Sequence, residues 1–239
     1  RRGKATVNEK YNTNTAIISG DVMLVYAYKY ISKVPPVLLP TILSVFNSVA
    51  TGVCEGQRMD INFETKTEVS IAEYLCMIEL KTSILLYGAM KIGALLGGAT
   101  LDEAELVGEF GKNMGIAFQM QDDYLDTYGK EAKLGKRIGG DILQNKKTYL
   151  VIKALELADT VTKTTLENWL QTSPPASRET TKIECVTAIF NTLDIPSGMK
   201  EIIKVYYDKA INCLSQLKMP DQKKEQLLDF LESLMIREH

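Results

Sequence analysis

From Gly115 to Asp126 the chain has no basic residue, yet it carries three carboxylates, Asp122, Asp123 and Asp126, in the segment FQMQDDYLD that begins at Phe118. The surrounding residues are apolar, and the segment reads as helix. On a helix, positions i and i+4 share a face and i+1 lies about 100° around, so Asp122 is set against Asp126 in like-charge repulsion. A solvated acidic face normally carries Lys or Arg at helical spacing as compensation. None is present, and the charge is left for an external cation. Hard carboxylate oxygens on a rigid helix suit Mg²⁺, usually held by one or two carboxylates while phosphate oxygens and water complete its octahedron. A plain solvated face is the competing reading of any short acidic motif.

The rest of the chain reads as helix after helix, with few alternating β-branched runs and with Gly or Pro at the joints. The expected fold class is all-α. One helix is expected from about Val7 to Ser32, stopped by Pro35 and Pro36, and a second from Leu38 to Phe63. Ser70 with Glu73, and Thr100 with Glu103, form capping boxes that open long helices to about Leu96 and Tyr128, the first ended by Gly97 and Gly98. A polar, glycine-rich stretch from Gly129 to Asn145 is long for a connection in a bundle and reads as a lid or binding loop, or else as a plain surface loop. Further helices are expected from Lys146 to Leu170, Arg178 to Leu193, Ser197 to Lys218 and Asp221 to Arg237, the last two capped at Ser197 and Asp221.

The 239 residues, 45% hydrophobic, suffice for a sizeable core, and a single domain spanning 1–239 is expected. A net charge of −2 gives no electrostatic argument for nucleic acid or an anionic membrane surface. Cys54, Cys76, Cys185 and Cys213 are widely spaced and form no CxxC pair, which fits reduced thiols in the cytoplasm rather than a zinc site or disulfide framework. No stretch approaches the roughly 18 apolar residues of a membrane span, and no signal peptide is visible, so a soluble protein is expected.

Lys81 and Thr82 lie mid-helix between Leu80 and Ile84, where a lysine either snorkels to water or holds an anion such as diphosphate. Gln119, three residues before Asp122, shares the inward face of the acidic helix. Lys133, Lys136, Arg137, Lys146 and Lys147 bring cations close in sequence to the aspartates. Mg²⁺ on the carboxylates and lysines on the loop could together neutralise a diphosphate. Gly139, Gly140 and Asp141 fit a tight turn.

FQMQDDYLD, Lys136, the GGD at Gly139 to Asp141, the Lys81 and Thr82 pair, GQRMD at Gly56 to Asp60 and the opening RRG at Arg1 to Gly3 together resemble the trans-isoprenyl diphosphate synthases, which include farnesyl and geranylgeranyl diphosphate synthases. The specific motifs cover Arg1 to about Lys147. The resemblance implies an isoprenoid-synthase helical bundle with a deep central cavity, an active homodimer, Mg²⁺ as cofactor, and condensation of an allylic diphosphate with isopentenyl diphosphate. By position it makes Asp122, Asp123 and Asp126 the second aspartate-rich, Mg²⁺-binding motif, with Asp122 the foremost direct ligand. It assigns Lys81 and Lys136 to the allylic diphosphate with help from Arg1, Arg2 to isopentenyl diphosphate, and Lys146 to the site mouth. Gln57 and Asp60 would support the cluster from a neighbouring helix. The Lys81 carbonyl, Thr82 hydroxyl and Gln119 amide oxygen would face the allylic cation.

The family's first aspartate-rich motif lies a few residues before RRG and does not occur in this chain, nor do the positions before it that limit product length. The domain is therefore expected to be N-terminally incomplete, and intact DDYLD, Lys136 and RRG favour an enzyme over a non-catalytic regulatory subunit. A class I terpene cyclase is a further alternative, although it normally lacks the RRG opening and the Lys81 and Thr82 pair.

Overall fold

The computed structural model of the chain describes residues 3–129, 138–172 and 175–235, and among these no residue lies in a strand. The all-α expectation holds. The chain forms two compact units, Arg1–Asn47 and Ser48–His239.

The first unit holds α1 (Val7–Lys10), α2 (Thr13–Ile31) and the first turns of α3 (Leu39–Thr65). The expected single helix from Val7 is broken at Tyr11, because the Asn12 side chain accepts a 2.8 Å hydrogen bond from the Thr15 N–H and opens α2 afresh. Tyr28 packs edge-on against Phe46, ring centroids 5.0 Å apart, and donates its hydroxyl to Asn47.

In the second unit α3 is followed by α4 (Ile71–Ile78), a π turn at Glu79–Ser83, and α5 (Ile84–Leu96). Then come α6 (Leu101–Tyr128), the short α7 (Gly140–Leu143), α8 (Tyr149–Leu157), α9 (Thr160–Leu170), α10 (Glu179–Thr192), α11 (Ile195–Gln216) and α12 (Asp221–Met235). Both predicted capping boxes are present, with the Ser70 and Thr100 hydroxyls accepting from the Glu73 and Glu103 backbones and the glutamates reaching back. The 28 residues of α6 rise about 1.5 Å each and run roughly 40 Å through the unit. Its first half packs Phe110 and Met114 against Leu214 and Leu231; its second half packs Ala117 and Met120 against Tyr74, Leu150 and Phe190.

Three further differences from the sequence reading stand out in the second unit. The expected helix from Lys146 to Leu170 begins only at Tyr149 and is interrupted at Ala158, since the Asp159 side chain caps α9 by accepting from the Thr162 N–H. Ser197 does not cap α11, which already starts at Ile195 with Pro196 in its first turn; the Ser197 hydroxyl instead donates to Asp194 Oδ1 at 2.6 Å. The third is the long helix opened by Ser70, which is not uniform α: the Ile84 N–H reaches back five residues to the Glu79 carbonyl.

Candidate functional site

The π turn places Lys81 and Thr82. Two glycines allow it, one from each flanking helix. A Cβ on Gly56 of α3 would stand 2.7 Å from the Leu80 carbonyl carbon and closer still to the Lys81 backbone nitrogen, and one on Gly115 of α6 would stand 2.8 Å from the Ser83 Cα. The turn is thus clasped between two helix backbones at distances only glycine permits.

From this clasp a polar chain crosses to α6. The Thr82 hydroxyl donates to Gln119 Oε1 at 2.9 Å, Gln119 Nε2 donates to Asp123 Oδ1 at 2.8 Å, and the buried Tyr74 hydroxyl donates to Asp123 Oδ2 at 2.8 Å. Lys81 Nζ turns the other way, to Asp60 Oδ2 of α3 at 2.5 Å. Apart from Thr82, these groups border a cavity of about 300 Å³ whose floor includes Phe63, Met77 and Ile78. Its far wall is the segment from Asp141 to Thr148, which contributes Asp141, Lys146 and Lys147.

That wall is built by the GGD turn. Gly139 adopts φ +78, and a Cβ there would meet Ile183 at 2.6 Å, so the position requires glycine on both conformational and steric grounds. The turn sets the Gly139 N–H on the Asp126 carbonyl and the Asp141 N–H on Asp126 Oδ2 at 2.8 Å. Asp126, only 3% exposed, is thereby committed in part to the turn. Lys146 Nζ donates to Asp141 Oδ1 at 2.5 Å, and Lys147 Nζ to the Lys66 and Thr67 carbonyls.

Asp123, between the Asp122 and Asp126 pair that the i, i+4 spacing singled out, is a carboxylate under marked electrostatic pressure. Burial first, and then the facing Asp141, push Asp123 up to about 7, although the hydrogen bonds from Gln119 and Tyr74 favour its charged form. Burial opposes the charge on Lys146, but its bond to Asp141 and the carboxylates of Asp141, Asp123 and Asp60 outweigh that and raise its pKa. The cavity edge therefore alternates anionic and cationic groups.

The elevated Asp123 makes a definite pH prediction. A carboxyl whose folded value is raised from 3.8 to about 7 contributes stability in its protonated form, complete below about pH 3.8 and lost as pH rises from there through about 7. In the presence of a chelator, Asp123→Asn should leave stability at pH 4 nearly unchanged and raise it at pH 8 by roughly 2–4 kcal/mol, since separating the folded and unfolded pKa values by one pH unit is worth about 1.36 kcal/mol. Urea unfolding at both pH values measures this, and a difference that does not grow with pH would refute it.

Of the residues expected from sequence, Lys81, Thr82, Gln119, Asp60, Asp123 and Lys146 meet around this cavity or on the polar chain beside it. Asp122 and Asp126 adjoin it on α6 without lining it. Gln57 is exposed on α3 and does not line it. Arg1, Arg2 and Lys136 lie outside the described residues, and among the described residues no cluster of three metal-ligating side chains is gathered. The sequence reading missed Tyr74, Asn145 and the role of Asp141. Tyr74 reaches Asp123 across 49 residues, so no local spacing could have flagged it.

The polyprenyl synthetase family model matches residues 1–189. The chain belongs to the polyprenyl synthetase family. Among relatives, a geranylgeranyl diphosphate synthase of Methanosarcina mazei is 44% identical over 158 residues, 65% of this chain and 49% of that protein. One of Sulfolobus acidocaldarius is 32% identical over 241 residues, covering 99% of this chain and 72% of its own length. A crystal structure of a geranylgeranyl pyrophosphate synthase superposes with TM-score 0.94 at 38% identity, over all of this chain and 73% of that one. The match thus spans about half the length of the Methanosarcina relative. Among the described residues, no helix is long and apolar enough to cross a membrane.

Proposed function

We propose that this member of the polyprenyl synthetase family is a trans-isoprenyl diphosphate synthase, joining isopentenyl diphosphate to an allylic diphosphate (dimethylallyl, geranyl or farnesyl) with release of diphosphate, as a homodimer. The observation that carries the reading is the cavity edge where Lys81, Asp123, Asp141 and Lys146 alternate in charge above an apolar floor. Relatives named geranylgeranyl and geranylfarnesyl diphosphate synthases support it.

The donor chemistry fits Mg²⁺: hard carboxylate oxygens, one of them on a residue whose charge is disfavoured without a cation. Asp122, Asp123 and Asp126 would hold it, and when bound it would neutralise diphosphate oxygens and so assist departure of that group. This chain's own residues do the remainder. Lys81 exchanges its Asp60 partner for a diphosphate oxygen, and Lys146 does the same from Asp141, so neither cation has to be desolvated afresh. Gln119 is pinned at both ends, by Thr82 and Asp123, which leaves oriented oxygen dipoles rather than nucleophiles beside the allylic carbon. Arg1, Arg2 and Lys136 complete the diphosphate contacts on this reading. The departing diphosphate itself takes the proton lost after attack by the isopentenyl double bond.

The test is to incubate the full-length gene product with Mg²⁺, isopentenyl diphosphate and each allylic diphosphate. Products longer by one or more isoprene units are expected. Absence of elongation would overturn the reading, and consumption of the allylic diphosphate without isopentenyl diphosphate would mark a terpene cyclase instead.

A further inference from the structure

Lys182, on α10, has no solvent-exposed surface. Fully buried lysines are rare, because an ammonium taken out of water costs several kcal/mol unless its donors are met. Its Nζ donates to Asn145 Oδ1 and, at 2.8 Å, to the Thr172 carbonyl, both uncharged acceptors. Burial lowers its pKa accordingly. The chemistry proposed for the cavity gives it no part.

Asn145 is the last residue before the two cavity lysines. It holds φ +57, a left-handed conformation that Asn tolerates better than most side chains. This reversal folds the chain back so that the Lys146 N–H reaches the Asp141 carbonyl at 3.0 Å while Lys146 Nζ reaches the Asp141 side chain. Asn145 itself lines the cavity. A continuous set of contacts thus runs from a buried ammonium, through one amide, to the groups that face a bound anion.

We propose that Lys182 is a positioning residue for diphosphate binding, holding Asn145 in its left-handed turn so that Lys146 and Asp141 are presented to the cavity; this rests on reading that cavity as the diphosphate site. Lys182 touches no substrate. It acts by removing the conformational freedom that the segment from Asp141 to Lys147 would otherwise lose on binding.

Calorimetric titration of inorganic diphosphate with Mg²⁺ into the full-length protein tests this without relying on turnover. Lys182→Met is expected to weaken binding about tenfold, the scale of one compromised charge-assisted hydrogen bond. Asn145→Gly still permits the left-handed conformation but deletes the acceptor that anchors it, and should reproduce that loss even where Lys182→Met fails to fold. In a Lys146→Ala background Lys182→Met should change affinity by under about twofold, since the two act in one chain. Wild-type affinity in a folded Lys182→Met or in Asn145→Gly, or simple additivity with Lys146→Ala, would overturn the positioning role. Failure of the wild-type protein to bind diphosphate would instead overturn the reading of the cavity.

Discussion

Gly56→Ala is expected to lower stability by about 2–3 kcal/mol and to cut turnover further than that loss explains. Alanine in a helix interior is normally worth about 1 kcal/mol over glycine. Here the added methyl would lie 2.7 Å from the Leu80 carbonyl carbon and nearer still to the Lys81 nitrogen, both backbone atoms that no rotamer change can move. Overpacking of this kind costs roughly 1–3 kcal/mol or more, and with backbone on both sides the clash outweighs the propensity. Gly93, on α5 with nothing within 4 Å of its Cβ position, is the internal control: Gly93→Ala should stabilise by about 0.5–1 kcal/mol. Urea midpoints of the two variants should move in opposite directions, and Gly56→Ala at the wild-type midpoint would show that the clasp is not tight. Relief of the clash must shift the π turn, and a displacement of about 1 Å at a positioned group can cost on the order of 10²-fold in rate.

On the proposed function, Lys81→Met should lower kcat/KM for the allylic diphosphate about 10²–10³-fold, the usual loss when one preorganised donor to a developing anion is removed. Stability should hardly change. Lys81 and Asp60 are about a third exposed, 34% and 28% at their side chains, and a pair so open to solvent contributes at most about 1 kcal/mol. The combination separates a binding role from a structural one: a folded variant with wild-type steady-state kinetics would leave Lys81 as a snorkelling surface lysine.

Much of the candidate site was legible without coordinates because its parts repeat at helical spacing or belong to recognisable strings. Gln119 and Asp123 lie four apart on α6, and the capping boxes at Ser70 and Thr100 place the two helices that carry Lys81 and the aspartates. Two contacts were illegible for one shared reason. The pairing of Tyr74 with Asp123, and of Lys182 with Asn145, joins residues 49 and 37 apart in the chain, with no local signal for either contact. The break at Asp159 was overlooked for a different reason: its cap competes with an otherwise continuous apolar pattern.

Sequence by itself determined the all-α class, the family, and the residue types that a diphosphate and a hard cation require, since periodicity, caps and motif spacing are properties of a linear chain. Only the tertiary structure decided that Asp123 is desolvated and faces Asp141, because desolvation depends on what packs above a group. Here the GGD turn gives Asp126 a backbone donor and sets the Asp141 carboxylate opposite Asp123. The π turn is likewise a product of packing, held where Gly56 and Gly115 let two helix backbones close on Lys81 and Ser83.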